Sequence, residues 1–211
     1  MKTILLFISF VGLQSIAFAQ NPHYLKTMEE VVTKIQTAAF TDDLTPTANQ
    51  FERIATAEPK EWLPNYWAAY CYLMKSYNEP IAEKKDVLLE KAEKLIGIAE
   101  KMEANNDEIE VMKANIASVR LSVDPQNRWQ EYGAISGAAL AKAKKINPEN
   151  PRAKLLEAQG VFYTPESYGG GKNKAEPILK EALEKFTKFK PISTIHPNWG
   201  ESVVKYFISQ L

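Results

Sequence analysis

Three observations predict an all-α fold built from stacked helical hairpins. A helix-pair pattern returns about every 43 residues, its first helices beginning near Pro64, Glu108 and Pro151. Periods of roughly 20 to 50 residues mark arrays in which each unit buries its apolar face against its neighbours. The second helix of each pair repeats a small-apolar-small triad, read as Ala92/Ile96/Ala99, Ala134/Ala138/Ala141 and Ala175/Leu179/Ala182. No segment alternates apolar and polar residues as a half-buried strand does.

The chain of 211 residues opens on Lys2, the apolar run Ile4 to Leu13, and Ala17-Phe18-Ala19. A basic start, a short apolar core and small residues at −3 and −1 are the parts of a secretory signal. Cleavage is expected after Ala19, giving residues 1–19 as a signal peptide and 20–211 as a single helical-repeat domain. The run is short of the roughly 20 apolar residues that span a bilayer, so no integral membrane segment is expected after cleavage. The sole cysteine, Cys71, excludes an intramolecular disulfide, and its place between Tyr70 and Tyr72 reads as a buried small hydrophobe. Lys and Arg total 26 and Asp and Glu total 26. A nucleic-acid binder would show a basic stripe, and here the two signs are interspersed.

The elements follow in order. Leu25, Met28, Val31, Val32, Ile35, Ala38 and Ala39 form one stripe of a helix from Tyr24 to Phe40, and Thr41-Asp42-Asp43 ends it before a second near Pro46 to Ala57. Glu58-Pro59 and Asn78-Glu79-Pro80 bound a third, Trp62 to Tyr77, and a long fourth runs from about Ile81 to Met102. Asn105-Asn106-Asp107 offers cap chemistry for a fifth, Glu108 to Ser122. The sixth, Asn127 to Ile146, carries Gly133, Ala134, Gly137, Ala138 and Ala141, small residues that suit a close helix approach. Asn147-Pro148-Glu149-Asn150-Pro151 stops it and starts a seventh, which runs to Tyr163. An eighth covers Lys174 to Phe189, with Pro177 tolerated in its first turn, and a last, Trp199 to Leu211, caps the stack.

The alanine triads, with Trp67 and Cys71 as a large-then-small pair and Ala143 with Pro148 as an ending, resemble the tetratricopeptide repeat over roughly Ala48 to Phe189. The resemblance implies an α-solenoid of about four hairpins with a C-terminal capping helix. The period is longer than the family's usual 34 or so, Lys154 stands where a large aromatic is expected, and Ser136/Leu140/Ala143 fits the second repeat as well as Ala134/Ala138/Ala141. The stretch from Asn150 through Gly171 and Ala175 also looks like small exported tetratricopeptide proteins of Bacteroidetes-type bacteria.

Catalytic and metal chemistry find little support. His23, His196 and Cys71 lie far apart in sequence, so neither a metal site nor a catalytic residue set is expected, nor an enzyme. Tyr168-Gly169-Gly170-Gly171-Lys172 fails the phosphate-loop pattern, having Glu166 for its first glycine and Asn173 for the magnesium-binding hydroxyl, and reads as a lengthened turn. No cofactor is expected. Ile195 to Gly200 reads as a capping turn, and the Glu and Lys residues along the fourth helix read as a solvated face.

Two binding functions remain open. The first is an exported scaffold for a protein or peptide partner of the cell envelope, held in the groove of the repeat. If Trp67 holds the large core position, the groove side falls at Asn65, Ala68, Tyr72 and Lys75, then Asn115 and Ser118, then Arg152, Leu155 and Gln159. The second is a periplasmic solute-binding or transport accessory protein with an aromatic-lined pocket, suggested by Tyr66, Trp67, Tyr70, Tyr72, Phe162, Tyr163 and Tyr168.

Overall fold

Most helices of this chain start where a short polar side chain or a proline can satisfy the first turn. The computed structural model describes residues 21–211, so the signal-peptide and cleavage reading of residues 1–19 lies outside the described residues. Asn21 caps α1 (Pro22–Thr37) by accepting from the His23 amide. Asp43 opens α2 (Thr45–Ala57), accepting from both the amide and the hydroxyl of Thr45. Pro64 lies in the first turn of α3 (Leu63–Asn78), and α4 (Ala82–Met102) follows the Pro80 break. Asn106 accepts from the amides of Glu108 and Ile109 at the head of α5 (Asp107–Val123). Asp124 accepts from the Asn127 amide at the head of α6 (Pro125–Ile146), and Asn150 from the amides of Arg152 and Ala153 at the head of α7 (Pro151–Tyr163). A 3-10 turn over Glu166–Tyr168 leads to α8 (Lys172–Lys188), and α9 (Glu201–Ser209) closes the order.

The fold is all-α: among the described residues no strand occurs. Consecutive helices pack as antiparallel pairs, α1 with α2, α3 with α4, α5 with α6 and α7 with α8, and α9 packs on α8. The odd-numbered helices also touch one another in series, α1 to α3 to α5 to α7, which lays them down as one layer and the even-numbered helices as the other. α3 is the most deeply placed element, with every residue from Leu63 to Leu73 buried, because it packs on α2, α4, α5 and α1. Its aromatics interlock edge-on, Tyr66 to Trp67 at 5.6 Å and Trp67 to Tyr70 at 5.5 Å between ring centroids, and Phe51 of α2 stacks on Trp67. The aromatic run singled out as a possible pocket wall is thus mostly core. Cys71 is buried beside it, and burial pushes its thiol far above the ordinary range, which keeps it unreactive.

Two triads lie where the repeat pattern puts them: Ala92, Ile96 and Ala99 are buried, as are Ala175, Leu179 and Ala182. In α6 the register is the other of the two, since Ser136, Ala139 and Ala143 face inward and Leu140 packs against them. Ala134, Gly137, Ala138 and Ala141 face outward, and a Cβ on Gly137 would meet nothing within 4 Å. The inward choice gains a polar anchor, because Ser136 Oγ lies 2.9 Å from Ser118 Oγ and 3.0 Å from the Ala114 carbonyl. The charged face of α4 also does more than face water. Glu93 and Asp86 hold Arg120, Asp86 holds Arg128, and Glu100 holds Lys113, so ion pairs tie α4 to α5 and α6.

The segment between α8 and α9 goes far beyond capping. Trp67 Nε1 donates to the Ile195 carbonyl at 2.8 Å and Trp199 Nε1 donates to the Tyr66 hydroxyl at 2.8 Å, so the segment folds back onto α3. Gly200 makes that return possible, with φ at +113°. A Cβ there would lie 2.6 Å from Phe186 Cζ. Gly200→Ala is expected to destabilise by about 1–3 kcal/mol through backbone strain and overpacking. Urea unfolding followed by circular dichroism checks this, and an unchanged midpoint would mean that the turn is not strained.

Candidate functional site

The α8-to-α9 segment forms one wall of a cleft of about 430 Å³, whose other walls are the starts of α5 and α7 and the last turn of α8. That size falls within the roughly 300–1,000 Å³ range of small-molecule sites. At its base sits a buried ion pair. Arg152, 0 % exposed, donates from Nε to Glu108 Oε2 at 2.7 Å and from Nη2 to Oε1 at 2.5 Å, while Nη1 reaches the Trp199 carbonyl at 3.3 Å. Glu108 and Arg152 are the second residues of α5 and α7, so the period of the repeat itself brings them together. Asn150 adds a bond of 2.7 Å to each of Glu108 and Asp107, and Asn147 reaches Asp107 at 2.8 Å. Burial pushes the Glu108 carboxyl up, and the Arg152 charge opposes this.

Above this base the cleft is cationic at its mouth and apolar along one side. Lys185 is held by Glu149 at 2.9 Å and by the Pro148 carbonyl at 3.1 Å. Lys188 pairs only with the exposed Glu184 of its own helix, and among the described residues Lys190 makes no ion pair or hydrogen bond. The Arg152 guanidinium lies 4.4 Å from the centroid of Phe189, and Ile192 and Pro197 continue the apolar side. His196 also lines the cleft. Its Nδ1 is 2.8 Å from Ser193 Oγ, its ring meets Trp62 edge-on at 5.9 Å, and burial lowers its pKa so that the imidazole is neutral near pH 7.

A second surface lies at the C-terminal ends of the odd-numbered helices. Phe40, 58 % exposed, meets Tyr77 at 6.3 Å, and Tyr163, 71 % exposed, meets Phe207 at 5.8 Å. Phe162 packs on Phe207 at 5.0 Å, beside the exposed Tyr206. This aromatic row is made of two groups of rings, Phe40 with Tyr77, and Phe162 and Tyr163 with Tyr206 and Phe207. Burial first, and then neighbouring phenols, push Tyr77 and Tyr163 up.

The groove residues read from the sequence divide among several places. Asn65, Ala68 and Leu155 are buried, and Gln159 is half-buried on α7. The Tyr72 hydroxyl donates to Glu52 at 2.6 Å, and Lys75 bonds Thr45 at 2.6 Å and Asp43 at 3.1 Å, so both side chains face α2. Ser118 bonds Ser136 within the α5–α6 pair. Asn115 accepts from the Tyr77 hydroxyl at 2.7 Å and so belongs to the aromatic row, and Arg152 floors the cleft. Of the aromatic set, Tyr163 and Tyr168 are exposed and Phe162 is half-buried against the core of α7, α8 and α9. The sequence reading did not single out Lys188, Lys190 and Ile192, and it gave His196 a capping role. The cluster of lysines around Phe189 shortly before His196 was the available signal.

The chain matches no protein-family model and no curated protein. Among solved structures it is similar to the HusA haemophore from Porphyromonas gingivalis, with 34% sequence identity, a TM-score of 0.80, and coverage of 90% of this chain and 94% of that one. The chain belongs to the HusA haemophore family. The likeness covers most of the helical array. A haemophore is a binding protein, and no described helix of this HusA relative is long and apolar enough to cross a membrane.

Proposed function

We infer that this chain is an exported, non-catalytic carrier of a haem-class tetrapyrrole. The observation that carries the reading is 34% identity to a haemophore across 90% of the chain. Carriage of such a ligand asks for an apolar wall for the macrocycle, cations for its carboxylates and a nitrogen or oxygen donor for its metal. The chain offers each of these on its surface: Phe189 and Ile192 as wall, Lys188 and Lys190 as cations, and His196 or the tyrosines of the row as donors. Lys2, the apolar run and Ala17-Phe18-Ala19 support export to the periplasm or beyond. The paired helices and their alanine triads support a tetratricopeptide-like solenoid.

Haemin added to the protein spanning residues 20–211 is expected to give a saturable one-to-one change in the Soret band, with micromolar or tighter affinity (about −8 kcal/mol or better). A haemin spectrum unaltered by the protein would overturn the reading.

A second reading is favoured by one observation, the exposure of Phe40, Tyr163 and Tyr206 along the odd-numbered helices. An aromatic strip of this kind suits a protein or peptide partner of the cell envelope, with the half-buried Gln159 on the helix of Tyr163 as a polar contact.

A further inference from the structure

Ile192 is 88 % exposed, more than any other large apolar side chain among the described residues, and the exposed Lys188 and Lys190 precede it. We propose that this turn, Lys188 to Ile192, is a peripheral anchor for an anionic membrane surface, with Ile192 entering the headgroup layer and the two ammonium groups meeting lipid phosphates. The proposal concerns a docking surface and stands independently of the haem-class reading.

The turn is held out rather than frayed. After it, the Thr194 hydroxyl donates to Glu29 of α1 at 2.6 Å, and the fully buried Ile195 receives the Trp67 indole at its carbonyl. Before it, the half-buried Phe189 lies 4.4 Å from the Arg152 guanidinium. With both flanks fixed, Pro191 and Ile192 are left in water by a segment that is otherwise well packed. One exposed aliphatic residue is ordinary on a protein surface. The charge around this one is not.

Lysines in the last turn of a helix answer its dipole, which accounts for Lys185 and Lys188 of α8. Lys190 lies beyond the helix end and makes no ion pair or hydrogen bond among the described residues. Lys188 meets only Glu184, in a pair whose side chains are 70 % and 64 % exposed, so water already screens it. The carboxylates of the neighbouring cleft are all taken: Glu108 by Arg152, Asp107 by two asparagine amides and Glu149 by Lys185. The turn therefore presents an aliphatic tip beside two cations that no carboxylate fixes. Such a tip needs a soft apolar layer under a film of negative charge, which an anionic bilayer supplies. A docked peptide needs a concave seat for its side chains, which a side chain standing clear at the rim does not provide.

The test is sedimentation of the protein spanning residues 20–211 with vesicles of equal parts phosphatidylglycerol and phosphatidylcholine, and with phosphatidylcholine alone. Binding is expected for the anionic vesicles and should be largely lost at about 0.5 M sodium chloride. Each lysine near such a surface is worth about fivefold in partition, so Lys188→Gln/Lys190→Gln should lose at least about tenfold. Ile192→Ser should lose about fivefold or more, and Ile192→Trp should gain, because an indole favours the interface. All three variants alter exposed side chains, so their far-ultraviolet circular dichroism should match the wild type. A wild-type protein that ignores the anionic vesicles, or binds both kinds equally, would overturn the proposal. So would a lysine variant that partitions like the wild type. A labelled oligoglutamate peptide that binds through these lysines while vesicles do not would likewise overturn it, and would assign the turn to acidic protein segments.

Discussion

Arg152→Ala is expected to cost about 3–5 kcal/mol of stability, the loss found when one partner of a buried ion pair is removed. Glu108 would be left buried with no other cation at bonding distance among the described residues, so it must stay charged at high cost or take up a proton, and Asn150 alone could not replace two guanidinium bonds. The loss extends to packing, because the guanidinium also lies over Phe189 and bonds the Trp199 carbonyl. Urea unfolding monitored by circular dichroism should show the midpoint falling. The double replacement Glu108→Leu/Arg152→Met should recover much of the difference, since an apolar pair of similar volume avoids the desolvation of both charges. If the single variant unfolded at the wild-type midpoint, the pair would have to be solvated, and the described burial would be wrong.

Trp67→Ala should be comparably damaging, at about 3–5 kcal/mol, for a different reason. Its indole is 1 % exposed, and it is packed against Phe51, Tyr66 and Tyr70. Truncation leaves a cavity in the centre of α3 and also deletes the bond to the Ile195 carbonyl. In a chain of this size the melting temperature should fall by roughly 10–15 °C. Trp67→Phe separates the two contributions, because it fills most of the volume without the donor. Calorimetry on both variants checks the pair. Equal losses would show that the hydrogen bond to the 189–200 segment carries most of the effect, and a much smaller loss in Trp67→Phe would assign it to volume.

The helices were legible because their boundaries are written in short-range chemistry. Asn106, Asn150 and the Pro46, Pro64 and Pro151 first turns are local signals, and the structure begins helices at each of them. The α6 register was not legible: Ala134, Ala138 and Ala141 satisfy the same pattern as Ser136, Leu140 and Ala143. What decides between them is the Ser118 hydroxyl on another helix, which no local pattern contains. The site was less legible still. Periodicity reports which positions face inward, so Tyr72, Lys75 and Arg152 were readable as lying on one side of their helices. It does not report that Glu52, Asp43 and Glu108 wait there as partners. The cleft is made by bonds between residues 128 and 133 positions apart, and such closures leave no trace in a window of one repeat.

Those same closures bear on how the chain reaches its native state. In an open array each hairpin needs only its neighbour, so segments can form and melt piecemeal. Here Ile195 and Trp199 fasten onto α3, and the last wall of the cleft is supplied by the 189–197 segment, far from α3 in sequence. A growing chain emerging N-terminus first therefore has an incomplete pocket, and an unshielded face of α3, until the 189–200 segment has been synthesised. The cleft thus exists only once the 189–200 segment has closed on α3.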